Sequence, residues 1–179
     1  IANCPMVKNT LNGSRRYIEK GNSFTIEDFR ITAFEVPHDS TDNVGYFFEF
    51  GNHTLTLATD VGRITDEVAC YAKQAHHLVI ESNYDETMLQ NGSYPYPLKQ
   101  RIRSGSGHLS NRQVSEFVSE HFTSHLRTIL LCHLSGDNNN PQLAFDTMQQ
   151  HLLQKGIVVG KNVGLQILKR NTLSSKIDF

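Results

Sequence analysis

The sequence predicts an α/β protein with a layered-sandwich architecture, and three observations lead to that prediction. Residues 23–58 hold short runs of alternating apolar and polar side chains, which is the pattern of β-strands. From residue 64 onward, amphipathic segments alternate with short apolar runs, as helices and strands do in layered α/β folds. The length of 179 residues, with 38% apolar and 20% charged side chains, suits a single globular domain spanning residues 1–179.

The first strands are predicted in residues 23–36, where SFTIEDFRITAFEV alternates around a turn at EDF. Two more are predicted at 44–50 and 53–58. The residues between them are Gly51 and Asn52, and a two-residue Gly-Asn link is typical of a β-hairpin turn. A run of strands is therefore expected before the first helix.

The remaining elements are predicted to alternate between helix and strand. Thr65 and Ser110 are the expected N-caps of two helices, while Pro141 and Gly156 mark the start and the end of an amphipathic third. Residues 92–107 are expected to be irregular, because Pro and Gly punctuate them. Further expected elements are strands in HHLVIES, RTILLCHL, IVVG and GLQILKR, a short helix in DETMLQN, and a polar irregular segment at 1–22.

Composition sets limits on compartment and partners. A net charge of −1 gives no bulk attraction for nucleic acid or acidic membranes, so a polyanion would need a local basic patch. Two of the three cysteines, Cys70 and Cys132, are predicted to be buried free thiols of a reducing compartment. Without a long apolar run or a leader pattern, a cytoplasmic protein with no membrane partner is expected. Because the chain begins with Ile1 rather than Met, a piece of a longer protein is also expected.

Three residues stand at the ends of predicted strands: His38, Asp60 and His133. Strand ends are where an α/β fold gathers side chains around a crevice. Two imidazoles and a carboxylate would make a metal site of the zinc kind, and the carboxylate has the charge and geometry to bridge two ions. The alternative for each residue is ordinary: a locally bonded loop histidine, a turn carboxylate, and a satisfied edge histidine.

A second pair, Glu81 and His108, is predicted to act in catalysis. Glu81 ends the strand LVIES, and His108 follows Gly107 just before a helix. A glutamate hydrogen-bonded to a histidine fixes its tautomer and supports general acid chemistry. The alternative is an exposed loop histidine and a solvated glutamate.

Three basic residues, Lys99, Arg101 and Arg103, follow two tyrosines, Tyr94 and Tyr96, and this combination suggests nucleic-acid binding. Cations contact phosphates and aromatic faces stack on bases. A solvated loop is the alternative explanation, since three charges are few. The predicted substrate-binding residues are Lys99, Arg101, Arg103 and Asn83.

The ordered motifs resemble those of the metallo-β-lactamase superfamily, and within it most closely the WalJ (YycJ)-type hydrolases. A more distant similarity is to tRNase Z. The resemblance covers nearly the whole chain. The motifs that carry it are V-P-His38-D, T-Asp60-V-G, E-S-N-Y-D at 81–85, Y-P-x-x-L-K-x-R-I at 94–102, G-His108-L-S-N and C-His133-L-S-x-D-N-N.

The resemblance implies an αββα sandwich with a dinuclear metal site at one edge of its sheets. His38 would match the third metal motif, Asp60 the bridging carboxylate and His133 the last histidine. His108, backed by Glu81, would aid proton transfer to the leaving group. Two divalent transition-metal ions, zinc or manganese or iron, would activate a hydroxide for attack on a phosphodiester.

The chain departs from the superfamily pattern in one large respect: the signature H-x-H-x-D-H is absent. We therefore expect residues 1–179 to be the C-terminal portion of a metallo-β-lactamase domain, inactive alone. Such a portion should expose an apolar sheet face and associate with the missing segment or with itself as a homo-oligomer. Tyr84 stands where relatives have His or Tyr and is not assigned as a ligand.

The leading functional hypothesis is a metal-dependent phosphodiesterase, a nuclease or exonuclease acting on DNA or RNA. A second hypothesis keeps the fold and assigns a small-molecule ester or thioester as substrate. A third treats the chain as a non-catalytic interaction fragment with an incomplete metal site. Metal analysis separates the third from the others, because three ligands of a half-site should hold metal poorly.

Overall fold

A computed structural model describes residues 17–171, 173–174 and 176–177. The prediction for residues 1–16 and the position of Cys4 lie outside this part of the chain. The described residues form one seven-stranded sheet whose spatial order follows the sequence order. The strands are β1 (Ser23–Ile26), β2 (Phe29–Glu35), β3 (Val44–Phe50), β4 (His53–Ala58), β5 (His77–Glu81), β6 (Thr128–Cys132) and β7 (Gly164–Ile167).

The sheet changes from antiparallel to parallel at β4. Strands β1 to β4 form an antiparallel meander, with Gly51 in the left-handed region (φ 52°) at the predicted turn between β3 and β4. From β4 to β7 each neighbouring pair is parallel. Parallel neighbours need crossover connections, and the helices supply them. The predicted fold class, α/β with strands first and then alternation, is confirmed.

Five helices occur in the described residues, and none is long and apolar enough to cross a membrane. The predicted caps are present. The hydroxyl of Thr65 accepts a hydrogen bond from the Val68 N–H, and Ser110 forms a reciprocal capping box with Gln113. The helices are α1 (Asp66–Gln74), α2 (Glu86–Asn91), α3 (Tyr96–Arg103), α4 (Asn111–Glu120) and α5 (Pro141–Gln154).

Helix α3 corrects the sequence prediction for residues 92–107, which were expected to be irregular. The helix begins at Tyr96, so Pro97 falls in its first turn. A proline is tolerated there because the first-turn N–H groups have no intrahelical acceptor. Leu98 to Arg103 are then good helix formers. The proline that was expected to prevent a helix therefore stands at a helix start.

The main core lies between one face of the sheet and three helices. Strand residues such as Phe34, Ile80 and Leu131 pack there against α1, α4 and α5. The opposite face carries a smaller buried cluster of Val79, Leu130 and Cys132, against which partly buried residues pack. No helix among the described residues contributes a buried residue to this second cluster. The partly buried residues packed on it are Leu55, Leu57, Leu168 and Ile177.

The two described cysteines are both free thiols, but they differ in burial. Cys132 is buried, as predicted, whereas Cys70 is exposed, which contradicts the prediction. The reason is the position of Cys70 on α1. Val68 and Ala72 point into the core, and Cys70 lies between them on the solvent side of the helix.

The strand directions bring the predicted site residues to one edge of the sheet. Strands β2 and β4 are both antiparallel to β3, so they run in the same direction. Strands β5 and β6 are parallel to β4. The carboxyl ends of β2, β4, β5 and β6 therefore meet at a single edge, where open α/β sheets bind ligands.

Candidate metal centre

The candidate metal centre lies at the carboxyl edge of the sheet, where four strands deliver one polar residue each. His38 follows β2, Asp60 follows β4, Glu81 ends β5 and His133 follows β6. Asp60 and His133 both adopt left-handed backbone conformations, with φ of 55° and 56°. Non-glycine residues in this region are uncommon and cluster at functional sites. Both strands thus turn sharply at the residue that enters the site.

Asp60 stands between two imidazoles. Its Oδ1 lies 3.6 Å from Nε2 of His38 and 3.6 Å from Nε2 of His133. Two ligand atoms on one tetrahedral zinc ion, with bonds of ~2.1 Å, lie roughly 3.4 Å apart. The distance from the Asp60 carboxylate to each imidazole therefore suits metal ligation, with the carboxylate central to both histidines.

The tautomers of His38 and His133 are set by their other ring nitrogens. Nδ1 of His38 lies 2.9 Å from the carbonyl oxygen of Gly107, and Nδ1 of His133 lies 2.8 Å from Oε2 of Glu81. Oxygen acceptors require Nδ1 to carry the proton in each ring. Each Nε2 then faces the Asp60 carboxylate. Metal-ligating histidines are held in the same way by outer acceptors.

Glu81 accepts hydrogen bonds from three separate segments of the site. Its side chain is fully buried and accepts hydrogen bonds from the backbone N–H groups of Asp60 (2.7 Å) and Leu109 (2.9 Å). It also accepts from Nδ1 of His133 and from Nδ1 of His108, the latter at 3.1 Å. Burial alone would raise the pKa of the Glu81 carboxyl, but the bonds to His108 and His133 outweigh burial and lower the pKa. Glu81 is therefore a buried carboxylate anchor.

His108 enters the site from the loop before α4. Its ring centroid lies 4.9 Å from that of His38 and 5.2 Å from that of His133. Gly107 makes this approach possible, because a Cβ at this position would overlap the backbone oxygen of Arg101. The backbone of His108 is fixed further by its N–H bond to the Ile102 oxygen at 2.9 Å. The predicted Glu81–His108 hydrogen bond is present.

The donor set is chemically suited to a transition-metal ion. Among the described residues, Asp60, Glu81, His108 and His133 offer ligand atoms within 4.8 Å of one another. The predicted ligand His38 is not in this group, so its role as a ligand stays a prediction. Imidazole nitrogen and carboxylate oxygen are the donors that zinc, iron and manganese accept in proteins. The hydrogen bond to Glu81 and the charge of Asp60 also raise the pKa of His133.

A cleft with a volume of about 490 Å³ opens beside the metal centre, and we call it the site cleft. Two of the predicted substrate-binding residues, Asn83 and Arg101, line it. The other two do not: Lys99 donates to the carbonyl oxygens of Gln90 and Gly92, and Arg103 reaches the backbone oxygen of Glu86 at 3.4 Å. Their role in substrate binding stays a prediction.

Arg101 and Asn83 also have structural partners. Arg101 forms a two-point ion pair with Asp39, next to His38 in sequence. The hydrogen bonds from Arg101 are the largest cause of a lowered pKa of the Asp39 carboxyl. The side-chain amide of Asn83 donates to the backbone oxygen of His133 at 2.9 Å. Both residues therefore hold backbone that carries a metal-centre histidine.

Sequence reasoning missed a buried polar network behind the centre and the cationic side chains after β7. Asn139 donates to the backbone oxygens of Ser82 (2.9 Å) and Asn83 (3.1 Å) and bonds to the side chain of Asn111. The asparagine run 138–140 was the available signal, because an amide side chain that is buried must find its hydrogen-bond partners within the protein. Lys169 and Arg170 line the site cleft, although no motif marked them.

This chain belongs to the beta-lactamase superfamily, because the family model of the beta-lactamase superfamily domain matches residues 4–134. It is 37% identical over 141 residues to exodeoxyribonuclease YycJ of Bacillus anthracis, covering 79% of this chain and 53% of that protein. It is 36% identical over 151 residues to exodeoxyribonuclease WalJ of Streptococcus pneumoniae, covering 84% and 56%. The chain thus spans about half the length of these curated relatives.

Two solved structures share the fold. The metallo-beta-lactamase fold protein YhfI from Bacillus subtilis matches with a TM-score of 0.63 and 17% identity, over 94% of this chain and 60% of that one. The Zn²⁺-bound PqqB from Methylobacterium extorquens matches with a TM-score of 0.54 and 17% identity, over 86% and 51%. These likenesses confirm the predicted metallo-β-lactamase fold.

Proposed function

We propose that this chain forms part of a metal-dependent phosphodiesterase that cleaves DNA, as an exonuclease. The observation that carries the proposal is the arrangement around Asp60, with Nε2 of His38 and of His133 each 3.6 Å from its Oδ1. The relatives named exodeoxyribonucleases support the choice of DNA. Cleavage of RNA is the nearest alternative within the same chemistry.

The residues that would hold two divalent transition-metal ions are His38, Asp60 and His133, with the Asp60 carboxylate between the two imidazoles. Zinc, manganese and iron all suit this donor set. Such ions, when bound, would acidify a water molecule and neutralise charge on the phosphodiester oxygens. The remaining ligands would come from an H-x-H-x-D-H segment, which this sequence lacks, in the half of the relatives' length that the chain does not span. Residues 1–179 are accordingly proposed as the C-terminal portion of the domain.

Within this proposal, Glu81 and His108 handle a proton. The carboxylate of Glu81 accepts from Nδ1 of His108, so Nε2 of the same ring is the atom that exchanges a proton with the substrate. A protonated Nε2 would donate to the departing oxygen of the phosphodiester, and the negative charge of Glu81 would stabilise the imidazolium. Burial of Glu81 keeps this interaction out of water, which strengthens it.

The proposal includes a cytoplasmic location. The thiols of Cys70 and Cys132 are both free, which is the state that a reducing compartment maintains. A free Cys70 at the surface would be open to oxidation elsewhere.

The test is a cleavage panel with the complete gene product. Labelled DNA duplex, single-stranded DNA, RNA, a generic phosphodiester and a thioester are each incubated with zinc or manganese. We expect cleavage of DNA, and a loss of at least about 100-fold in rate for Asp60→Asn, because asparagine tolerates the left-handed backbone but lacks the charge. Normal DNA cleavage by Asp60→Asn would refute the site, and preference for the thioester would refute the substrate class.

A second variant tests the proton role separately. His108→Gln should lower the cleavage rate by roughly 100- to 10,000-fold while leaving the metal content unchanged, because general acid catalysis contributes about that much. Substrates with a good leaving group, such as a nitrophenyl phosphodiester, need less protonation and should lose less. Equal losses on both kinds of substrate would show that His108 does not act as the acid.

A further inference from the structure

Three segments of the candidate metal centre continue into buried polar side chains that the proposed reaction does not use. These segments follow β5, precede α4 and follow β6, and each carries one residue of the centre. The four polar residues are only 0% to 9% exposed, so they lie in the interior rather than in water. Buried amides and hydroxyls need hydrogen-bond partners within the protein. The four residues are Ser82, Asn83, Asn111 and Asn139.

Asn111 and Asn139 form a reciprocal amide pair in the middle of this group. Nδ2 of Asn111 donates to Oδ1 of Asn139 at 2.9 Å, and Nδ2 of Asn139 donates to Oδ1 of Asn111 at 2.8 Å. Asn111 is the first residue of α4 and follows closely after His108, while Asn139 lies in the loop that begins at His133. The pair therefore links the segment that carries His108 to the segment that carries His133.

The same amide pair holds the chain where it leaves Glu81. The hydroxyl of Ser82 donates to Oδ1 of Asn111 at 2.6 Å. Nδ2 of Asn139 also donates to the backbone oxygens of Ser82 (2.9 Å) and Asn83 (3.1 Å). The two hydrogens of this amide thus serve three oxygens and are shared among them. The third segment is thereby bonded to the other two.

Asn83 closes the network onto the backbone beside the two histidines. Its side-chain amide donates to the backbone oxygen of His133 at 2.9 Å, and its backbone oxygen accepts from the Ser135 N–H at 2.8 Å. Its own N–H donates to the oxygen of Leu109, the neighbour of His108, at 3.0 Å. Every bond of Asn83 therefore ties the end of β5 to a segment that carries a metal-centre histidine.

The ring contacts of the centre depend on how these segments are held. Nδ1 of His133 lies 2.8 Å from Oε2 of Glu81, and Nδ1 of His108 lies 3.1 Å from Oε1. The backbone of His133 is left-handed, a conformation that persists where the surroundings impose it. Because a displacement of ~1 Å can lower a reaction rate about 100-fold, small movements of the segments would matter.

Stability alone does not require amides at positions 111 and 139. Replacing both partners of a buried hydrogen bond with apolar groups of the same shape can be nearly neutral for folding. What apolar side chains cannot reproduce is the set of directed bonds to Ser82 and Asn83. The amide pair is therefore explained by placement of the three segments.

We propose that Asn111 and Asn139 are positioning residues, which hold the rings of His108 and His133 against the Glu81 carboxylate. Neither amide lines the site cleft, so both act through other residues. The inference rests on the proposed function, because the reaction that this placement serves is the proposed cleavage of a phosphodiester. The placement itself can be measured without any reaction.

The experiment uses the complete protein, loaded with zinc and labelled with ¹⁵N-histidine, in NMR spectroscopy. The Nδ1 protons of His108 and His133 report their hydrogen bonds to Glu81 directly. In Asn139→Ala we expect both proton signals to move upfield or to be lost by exchange with water. We also expect kcat for DNA cleavage to fall at least about tenfold with KM unchanged, because the transition state is affected and the cleft is not.

The matched control is Thr56→Val, which also removes a buried hydrogen bond, from the Thr56 hydroxyl to the Tyr71 oxygen at 2.7 Å. This change lies away from the metal centre, so it should lower the urea midpoint while both proton signals and kcat stay the same. Ser82→Ala removes only the bond to Asn111 and decides the question should Asn139→Ala fail to fold. It should move the same signals by a smaller amount.

Unchanged proton signals in a folded Asn139→Ala would overturn the proposal, as would unchanged signals in Ser82→Ala where that variant decides. Equal losses of kcat in Asn139→Ala and Thr56→Val would also overturn it, because the loss would then follow stability. Failure of the proposed function looks different. A protein whose signals shift as expected but which cleaves no nucleic acid would retain the positioning and lose the nuclease function.

Discussion

Two groups of histidines occupy opposite ends of the same sheet. The metal-centre group, His38, His108 and His133, lies at the carboxyl ends of the strands. The second group, which we call the basal histidine cluster, lies at the amino ends of β4 and β5. Its ring centroids are 5.4 to 6.5 Å apart for neighbouring pairs, hardly farther than the 4.9 and 5.2 Å of the metal centre. The basal histidine cluster consists of His53, His76, His77 and His125.

The two groups differ in what their ring nitrogens contact. In the metal centre, Nδ1 of His38 and of His133 donates to oxygen, and Nε2 faces the Asp60 carboxylate. In the basal cluster, Nδ1 of His53 lies 3.1 Å from Nε2 of His77, so one ring bonds to another. Nearness of imidazoles is therefore not enough for a metal site. The proposed metal centre differs by having carboxylates that orient the rings and could also bind the cation.

The largest expected effect comes from removing the charge at the middle of the metal centre. Asp60→Asn should lower the affinity of the complete protein for zinc by at least about 100-fold, because the carboxylate would be the charged ligand between the two imidazoles. Metal content after dialysis, measured by atomic emission, checks this. The control is Asp66→Asn, an exposed aspartate in the first turn of α1, which should keep its metal. Full metal retention by Asp60→Asn would mean that the Asp60 carboxylate does not explain why one histidine group, and not the other, binds metal.

The second-largest effect is expected at Glu81, and it tests whether the orientation of the His108 and His133 rings contributes to metal affinity. Glu81→Gln keeps the shape of the side chain but removes the charge that His108 and His133 contact. We expect about a 10- to 100-fold loss of metal affinity, the usual result of losing an outer partner, and a loss of roughly 3 kcal/mol in the free energy of unfolding. Metal titration and urea unfolding measure the two quantities.

Glu116→Gln is the matched control for this change, because Glu116 pairs with Arg112 at the surface. A surface pair contributes about 0–1 kcal/mol, so its loss should be small. Should both variants lose equal stability and no metal affinity, Glu81 would be an ordinary buried carboxylate.

The sequence predicted those parts of the fold and the site that depend on local pattern. Strand ends at His38, Asp60 and His133 could be located from apolar runs, and parallel packing of β4 to β6 then brings two of them to one edge. The caps at Thr65 and Ser110 are equally local, since a cap bonds within three residues.

The contacts that could not be predicted join segments distant in sequence. The carbonyl of Gly107 orients His38 across 69 positions, and Glu81 orients His133 across 52. Nothing in a local pattern encodes which carbonyl or carboxylate meets a given ring. The basal histidine cluster was missed for the same reason: the parallel pairing of β4 with β5 brings His53 to His77, which is 24 positions away in sequence.

A smaller effect is expected from His77 of the basal histidine cluster, which should make the free energy of unfolding depend on pH. Burial, followed by the charges of His53, His76 and Arg127, lowers the pKa of His77 from 6.5 to about 4. Between these values the unfolded chain binds more protons, so the contribution of His77 is present above pH 6.5 and is lost as the pH falls towards 4. Between about pH 7 and pH 5.5 this group should remove about 1 kcal/mol of stability.

Urea unfolding at a series of pH values measures this loss, and His77→Gln is the comparison. The variant lacks the titrating ring, so its stability should fall less steeply over the same range. Parallel curves for the two proteins would mean that His77 is not the buried neutral group described above.

The smallest effect is expected at His125, the exposed member of the basal cluster. Its Nε2 donates to the carbonyl oxygen of Lys73 at the end of α1 (2.8 Å). His133 is also exposed, and its ring is likewise held through one nitrogen. His125→Gln should change the free energy of unfolding by about 0.5 kcal/mol or less, since water can replace the donor at an exposed carbonyl.

The same substitution at the other end of the sheet, His133→Gln, should remove tight metal binding, because His133 directs its second nitrogen at the Asp60 carboxylate and His125 does not. It should also lower stability more than His125→Gln does, because the buried Glu81 carboxylate loses a donor. Unfolding and zinc titration on both variants give the comparison directly. If His125→Gln also lost metal, the two ends of the sheet would be coupled, and contact with Asp60 would no longer explain which histidines bind metal. If neither variant lost metal, His133 would not be a ligand.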